Sequence, residues 1–352
     1  MNIQNYLSNL KYFQEKCYPA KVMPVVKADA YGHGAVMLSK AAERIGIDYL
    51  AVAFLEEALE LRRNQIRTKI LVFNYVEKDF VKIAVENNIT LTMFSWKQLE
   101  DYKNLKEKPV VHINIDTGMN RVGVKVDEAR KFYKKLLENG FEVEGIYTHF
   151  AVADSLKKED IEFTKKQYEK FGSLDIDVPI KHVCNSGASI TGIVPYHNYV
   201  RLGIASYGLM PSNEVKDEHL KPVLTWKSVV SHVKYIEKGE SVSYGRTFIA
   251  DRKMKVATIP VGYADGFWRH LSNIGEVLIN GKRRKILGRV CMDQFVVEGE
   301  GVNEGDEVIL IGTQGNERIT AEEIAEKLGT INYEVTCRIS KRVPRIYKGV
   351  EF

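Results

Sequence analysis

Val25-Val26-Lys27-Ala28-Asp29-Ala30-Tyr31-Gly32-His33-Gly34 is the stretch on which the reading of the first two thirds of the chain turns. An apolar run over 21–28 ends in a lysine and gives way to a turn carrying Tyr31, His33 and two glycines. Ala35, Leu38, Ala41, Ala42 and Ile45 follow at spacings of three and four, the period of an amphipathic helix. The same strand-then-helix unit recurs, with candidate strands at 49–54, 70–74, 89–94, 110–116, 143–149, 180–184 and 199–204. Strands this apolar are covered on both faces, as in a parallel sheet flanked by helices. About eight such units favour a closed (β/α)8 barrel of the TIM type, with a doubly wound sheet as the alternative.

The pattern changes in the polar stretch 213–222. Beyond it the helical period fades and strand-like runs take over at 224–236, 255–261, 276–279 and 308–311, with a hairpin signal at Asn280-Gly281. One helix is expected at 320–328, opened by the capping box Thr320-x-x-Glu323. The expected organisation is a barrel over 1–219 and a smaller, mainly β domain over 220–352.

Composition bounds the function. The 352 residues are 45% apolar and 28% charged, ordinary for globular protein, which excludes disordered, collagen-like and coiled-coil classes. The net charge of +5 is mild and spread along the chain, so neither nucleic acid nor membrane is an expected partner. The basic run Lys282-Arg283-Arg284-Lys285 reads as a solvated strand edge. Four scattered cysteines predict neither a disulfide framework nor a metal site. With no signal-peptide pattern and no membrane-spanning window, the chain reads as soluble and cytoplasmic.

The chemistry starts at Lys27. Barrel active sites gather at the C-terminal ends of strands, and a lysine there in apolar company keeps its amine available for a Schiff base. An isolated lysine would read as a snorkelling strand end, but the turn that follows is more elaborate than a strand exit requires.

This segment resembles the pyridoxal-phosphate (PLP) lysine motif of the alanine racemases, and the resemblance continues in order along the chain. It includes Asp116-Thr117-Gly118-Met119-Asn120-Arg121-Val122-Gly123, Thr148-His149-Phe150, Asn185-Ser186, Arg201-Leu202-Gly203-Ile204 and Ser243-Tyr244-Gly245. Val261-Gly262-Tyr263-Ala264-Asp265-Gly266, Gly288-Arg289-Val290-Cys291-Met292-Asp293 and Arg342-Val343-Pro344-Arg345 complete the set. One match would be weak; eight collinear ones are specific.

The resemblance implies a PLP-binding barrel with a C-terminal β domain, assembled as a head-to-tail homodimer with shared active sites. It implies interconversion of L- and D-alanine through a PLP aldimine, with Lys27 serving one face and Tyr244 of the partner subunit the other. Such an enzyme supplies D-alanine for peptidoglycan. A tyrosine base needs a neighbour that favours its ionised form, and His149 matches that neighbour, with Arg201 and His182 continuing the network. Arg201 would face the pyridine nitrogen, keep it unprotonated and limit side reactions. Tyr31, Ser186 and the amides of Gly203 and Ile204 would hold the phosphate. Arg121 and the backbone N–H of Met292 would hold the substrate carboxylate. Tyr263 matches an inner gate, with Asp154, Arg269, Arg289 and Ile339 behind it.

Three positions depart from the family pattern. Asn114 stands where many members have a carbamylated lysine that orients the arginine, so a bound anion such as chloride is expected to hold Arg121. Lys341 replaces a tyrosine lining the pocket near the phosphate; it can still bind that group, but it opens serine or broad-specificity racemisation as the alternative activity. A short strand usually preceding the first helix is expected to be missing. The more distant alternatives are a PLP-dependent decarboxylase on the same barrel and a non-catalytic PLP-binding protein, a single-domain barrel without residues 220–352.

Overall fold

Eight parallel strands carry the N-terminal unit of the structure, a computed structural model describing residues 1–349: β1 (Lys21–Pro24), β2 (Tyr49–Val52), β3 (Lys69–Val72), β4 (Ile89–Met93), β5 (Val110–Asp116), β6 (Glu142–Tyr147), β7 (Ile180–His182) and β8 (Tyr199–Leu202). All eight runs expected from the sequence form strands, most of them shorter at the C-terminal end. They pair in the order β1-β8-β7-β6-β5-β4-β3-β2. A parallel bridge between Val25 and Ala51 and a 2.8 Å bond from Val26 N–H to the Ala51 carbonyl bring β1 back to β2. The result is a nearly closed barrel, and the doubly wound alternative falls.

The period of two along β5 shows how the interior is built. Val111, Ile113 and Ile115 alternate with His112, Asn114 and Asp116, and all six are buried. Register places Thr92 beside His112, Asn114 beside Tyr147, Tyr147 beside His182, and Met23 beside Arg201. A polar set therefore shares one face of the sheet, while the apolar set on the other face covers it.

The second unit comprises Met1–Asn2 and Pro222–Lys348. Its strands are β9 (Trp226–Val229), β10 (His232–Ile236), β11 (Ser241–Val242), β12 (Phe248–Ile249), β13 (Met254–Ile259), β14 (Glu276–Ile279), β15 (Lys282–Leu287), β16 (Phe295–Glu298), β17 (Glu307–Gln314) and β18 (Glu317–Ile319). Seven form an antiparallel sheet in the order β9-β17-β14-β15-β16-β13-β10, with β18 added to β17 and β11–β12 a separate pair. Asn280 and Gly281, both at positive φ, close the β14–β15 hairpin.

No strand precedes the first helix, Ile3–Lys16, among the described residues; Asn2 makes an isolated bridge to Lys348 and donates to the Val223 carbonyl at 2.8 Å. Two expectations change here. The basic run is the return strand of the hairpin, yet Arg283 is no solvated edge: it pairs with Glu276, Glu317 and Glu323. Thr320 caps the helix Ala321–Leu328 by accepting from Glu323 N–H at 3.1 Å, but the Glu323 carboxylate goes to Arg283 and Lys327. A further helix, Asn332–Cys337, is too short and polar to announce itself by periodicity.

Candidate active site

Lys27 does not end a strand. β1 stops at Pro24, and Lys27 opens a turn in which Ala28, Asp29, Ala30 and Tyr31 take φ of 51°, 53°, 53° and 54°. Four consecutive left-handed residues with side chains cost about 1–2 kcal/mol each, strain that persists only where neighbours over-determine it. The neighbours are present. Glu57 accepts Ala28 N–H at 2.6 Å on one carboxylate oxygen, and Ala53 and Phe54 N–H at 2.7 and 3.1 Å on the other. Asp29 caps the next helix by accepting from Ala35 N–H at 2.8 Å, and His33 Nδ1 lies 3.0 Å from the carbonyls of both Ala30 and Tyr31. Tyr207 packs against the rings of Tyr31 and His33 and donates to the Val25 carbonyl at 2.6 Å. Lys27 is thereby presented, half-buried, from a rigid support.

Tyr31, Ser186 and Gly203 converge from three segments. Ser186 Oγ accepts from Gly203 and Ala205 N–H at 3.1 and 3.3 Å, which leaves its own hydrogen to donate outward. A Cβ built on Gly203 would stand 2.6 Å from the Tyr31 hydroxyl. The glycine keeps open a notch between two hydroxyls, and Ile204 follows it as the first residue of the short helix Ile204–Tyr207.

Arg201, on β8, is 3% exposed. Its Nη1 donates to the His182 carbonyl at 2.7 Å and lies 2.9 Å from His182 Nδ1. Its Nη2 donates to the carbonyls of Thr148 at 2.7 Å and Val183 at 3.1 Å, and lies 3.2 Å from His149 Nδ1. Burial lowers the guanidinium to about 10. Burial, then the charges of Arg201, Arg121 and Lys27, hold His149 at about 3, so the imidazole is neutral. Arg121 and His149 line one cavity with Asn114, Asp116 and Met119.

The remaining expected residues lie in the second unit. Tyr244 follows Ser243, whose hydroxyl donates to the Arg289 carbonyl at 2.6 Å. Tyr263 and Ala264 N–H donate to the carbonyls of Cys291 and Met292, each at 3.0 Å. Gly262 permits this approach, since a Cβ there would stand 2.2 Å from the Met292 oxygen. The structure thus ties Met292 to the Tyr263 turn and the Tyr244 turn to the adjoining Arg289, and leaves Tyr244, Met292 and Tyr263 exposed. Lys341, also exposed, sits beside Arg342, which reaches Asp265 at 2.7 Å and Asp293 at 2.7 Å. Asp154 belongs to the barrel unit, and Arg269, Arg289 and Ile339 to the other.

Sequence reading missed Glu57, His112 and Glu144. Glu57 was one acid among many in a helix, and the histidine is visible only as a polar interruption of an apolar strand. Among the described residues no helix is long and apolar enough to cross a membrane.

These residues fit PLP: a notch with two hydroxyl donors for a phosphate, a permanent cation for the ring edge, and a lysine held rigidly nearby. Comparison with known proteins agrees. The family described as "Alanine racemase, N-terminal domain" matches residues 1–211, and "Alanine racemase, C-terminal domain" matches 223–347. Alanine racemase 2 of Caldanaerobacter subterraneus subsp. tengcongensis is 44% identical over 344 residues, 93% of this chain and 88% of its own. The crystal structure of alanine racemase from E. faecalis superposes with a TM-score of 0.94 at 35% identity, covering 99% and 97% of the two chains. That of alanine racemase from Bacillus anthracis with bound L-Ala-P gives 0.93 at 38% identity, covering 99% and 94%.

Proposed function

Because the chain belongs to the alanine racemase family, whose members depend on PLP, we propose that it interconverts L- and D-alanine by a two-base mechanism at an active site shared between two copies. When bound, PLP supplies an electron-accepting ring that acidifies the α-proton of an amino acid joined to it. Lys27 serves the face of the D-alanine α-proton, and Tyr244 of the partner subunit serves the opposite face and takes the proton of L-alanine. His149 supports that tyrosine: with Nδ1 accepting from Arg201, its proton sits on Nε2, where it donates to a phenolate.

Tyr31 and Ser186 hold the phosphate with their hydroxyls, with the Gly203–Ile204 backbone beside them and Lys341 at the same pocket. Arg201 faces the pyridine nitrogen and keeps it unprotonated, which limits the ring as an electron sink and suppresses side reactions. Arg121 and the N–H of Met292 of the partner subunit orient the substrate carboxylate, and Tyr263 gates entry. Exposure of Tyr244 and Met292 on their own unit supports a head-to-tail homodimer, in which both would be covered. A cytoplasmic supply of D-alanine for peptidoglycan is the role that suits this activity.

The observation that supports this reading most is the buried Arg201 guanidinium, whose terminal nitrogens go to carbonyls and imidazoles with no carboxylate among them, a cation suited to an uncharged ring nitrogen. The test is chiral chromatography of holoenzyme incubated with single L-amino acids, alanine and serine first, beside Tyr244→Phe. D-alanine that disappears with the variant is expected. D-serine formed as fast as D-alanine would replace alanine racemisation with a broad-specificity activity and make Lys341 the residue to mutate next.

A further inference from the structure

A carboxylate at the opposite end of the barrel from the mouth is connected to Arg201 by two buried imidazoles. Glu144 lies early in β6, beside Tyr49 and Lys69, the first residues of β2 and β3. Its Oε2 accepts from the Tyr49 hydroxyl at 2.9 Å, and its Oε1 pairs with Lys69. The β5–β6 register runs Val111 to Val143 and then His112 to Gly145, which makes Glu144 the extra residue of a bulge. Bulges re-aim side chains, and this one turns a carboxylate inward. The next residue is a glycine whose absent side chain is replaced by the His112 ring: a Cβ there would stand 2.8 Å from His112 Cε1 and Nδ1.

From Glu144 the contacts run in one line. His112 Nε2 is 3.4 Å from Glu144 Oε2, His112 Nδ1 is 2.9 Å from His182 Nε2, and His182 Nδ1 is 2.9 Å from Arg201 Nη1. Both imidazoles are fully buried. A guanidinium only donates and a carboxylate only accepts, so the two ends fix every hydrogen between them. His182 accepts at Nδ1 and donates from Nε2; His112 accepts at Nδ1 and donates from Nε2 to Glu144. Burial lowers the pKa of both rings, so each has a single proton to place.

We propose that Glu144 is a positioning residue for Arg201, fixing the tautomers of His112 and His182 from the barrel floor so that the guanidinium is held at the mouth. The proposal rests on Arg201 facing the cofactor ring. Remove the acceptor and His112 gains by taking the other tautomer, with Nε2 accepting from the Tyr49 hydroxyl 3.5 Å away. His112 Nδ1–H then faces His182 Nε2–H. His182 must switch in turn, and its new Nδ1–H confronts an Arg201 N–H. The guanidinium is displaced by a donor–donor clash.

The test uses holoenzyme carrying 15N-labelled histidine, with His112 assigned by its loss in His112→Gln and His182 by its loss in His182→Gln. Both Nδ1 atoms should give the shift of an unprotonated acceptor and both Nε2 atoms that of N–H. A protonated Nδ1 at either position in the wild type overturns the proposal without any variant. Glu144→Leu should lower kcat in both directions about tenfold or more, change KM little, and shift the visible absorbance of the bound cofactor. Glu144→Gln, which keeps an acceptor oxygen, should keep the tautomers and restore most of the rate. Wild-type kcat in folded Glu144→Leu overturns the proposal, as does equal loss in both variants with unchanged tautomers. If Glu144→Leu does not fold, the tautomers of the wild type and Glu144→Gln decide. A wild type that does not racemise alanine refutes the proposed activity instead, and the tautomer result stands apart from it.

Discussion

Arg201 Nη2 lies 3.2 Å from His149 Nδ1 and 2.7 Å from the carbonyl of Thr148, so one nitrogen both orients the histidine and grips the backbone just before it. The other terminal nitrogen makes the same pair of contacts to the ring and carbonyl of His182. The planar fork is what allows one residue to serve two histidines, His182 at the end of β7 and His149 just past the end of β6.

Arg201→Lys tests that geometry. A lysine keeps the charge but delivers it at one point, and it cannot reach both imidazoles. Hydrogen bonds to charged groups contribute about 1.5–3 kcal/mol each, so losing one side should lower kcat/KM by about tenfold to a hundredfold. The loss should appear in both reaction directions, measured by racemisation of L- and D-alanine. A lysine variant with wild-type kcat/KM would show that charge alone suffices.

Acid stability should fail early. His112, His149 and His182 all have lowered pKa values through burial, with His149 at about 3. A lowered folded-state pKa gives stability that is present above the unfolded value and lost as pH falls toward the folded one. Unfolded histidine takes its proton near pH ~6.5, so the melting temperature should start to fall below about that value, before carboxylates titrate. Glu144 adds a second phase. Burial would raise its pKa, but bonds from His112, Lys69 and Tyr49 outweigh that and hold it at about 2, so its contribution is lost between about 4.5 and 2. Calorimetry across pH checks both phases, and His149→Asn should shrink the first. A flat melting temperature down to about pH 4.5 would contradict the buried neutral histidines.

Gly203→Ala should weaken cofactor binding more than it weakens the fold. The new Cβ would stand 2.6 Å from the Tyr31 hydroxyl and 3.2 Å from its Cζ, so the phenol must leave the notch. Tyr31 is seated in the strained turn and against Tyr207, and it has little room to adjust. Loss of one phosphate contact of about 1.5–3 kcal/mol raises the PLP dissociation constant about tenfold or more. Titration of apoenzyme with PLP, followed by absorbance, reads this directly, and the melting temperature of the apoenzyme should fall modestly as the displaced phenol loses its packing on Tyr207. Unchanged affinity would remove Tyr31 and Gly203 from the phosphate site.

The barrel was legible in the sequence because strands covered on both faces repeat as apolar runs, and turn glycines punctuate them. Where each strand ends was not: residues 25–31 look like a strand and its exit, yet bend into a left-handed turn that depends on Glu57, distant in sequence. The motifs around Lys27, Arg201 and Tyr244 could be recognised as words. The His112–Glu144 connection has no such signature, because it arises from a bulge that shifts register by one residue, and a single extra residue leaves no trace in periodicity.

Arg121 offers the last test, because among the described residues no carboxylate pairs with it. Asn114, buried on the same cavity wall, is neutral. The nearest acid in that cavity, Asp116, is already committed: it accepts from Lys125 Nζ at 2.5 Å and from Asn120 and Gly118 N–H at 2.9 and 3.1 Å. An anion between Asn114 and Arg121 would supply the missing charge, with the amide N–H and the guanidinium as its donors. Replacing chloride with gluconate should therefore raise KM for alanine about threefold to tenfold and leave kcat less affected, since the proposed role of Arg121 is to orient the substrate carboxylate. Asn114→Asp builds the charge into the protein, and its KM should be nearly independent of chloride. A wild type whose KM ignores the choice of anion would mean that Arg121 needs no counter-ion to hold its place.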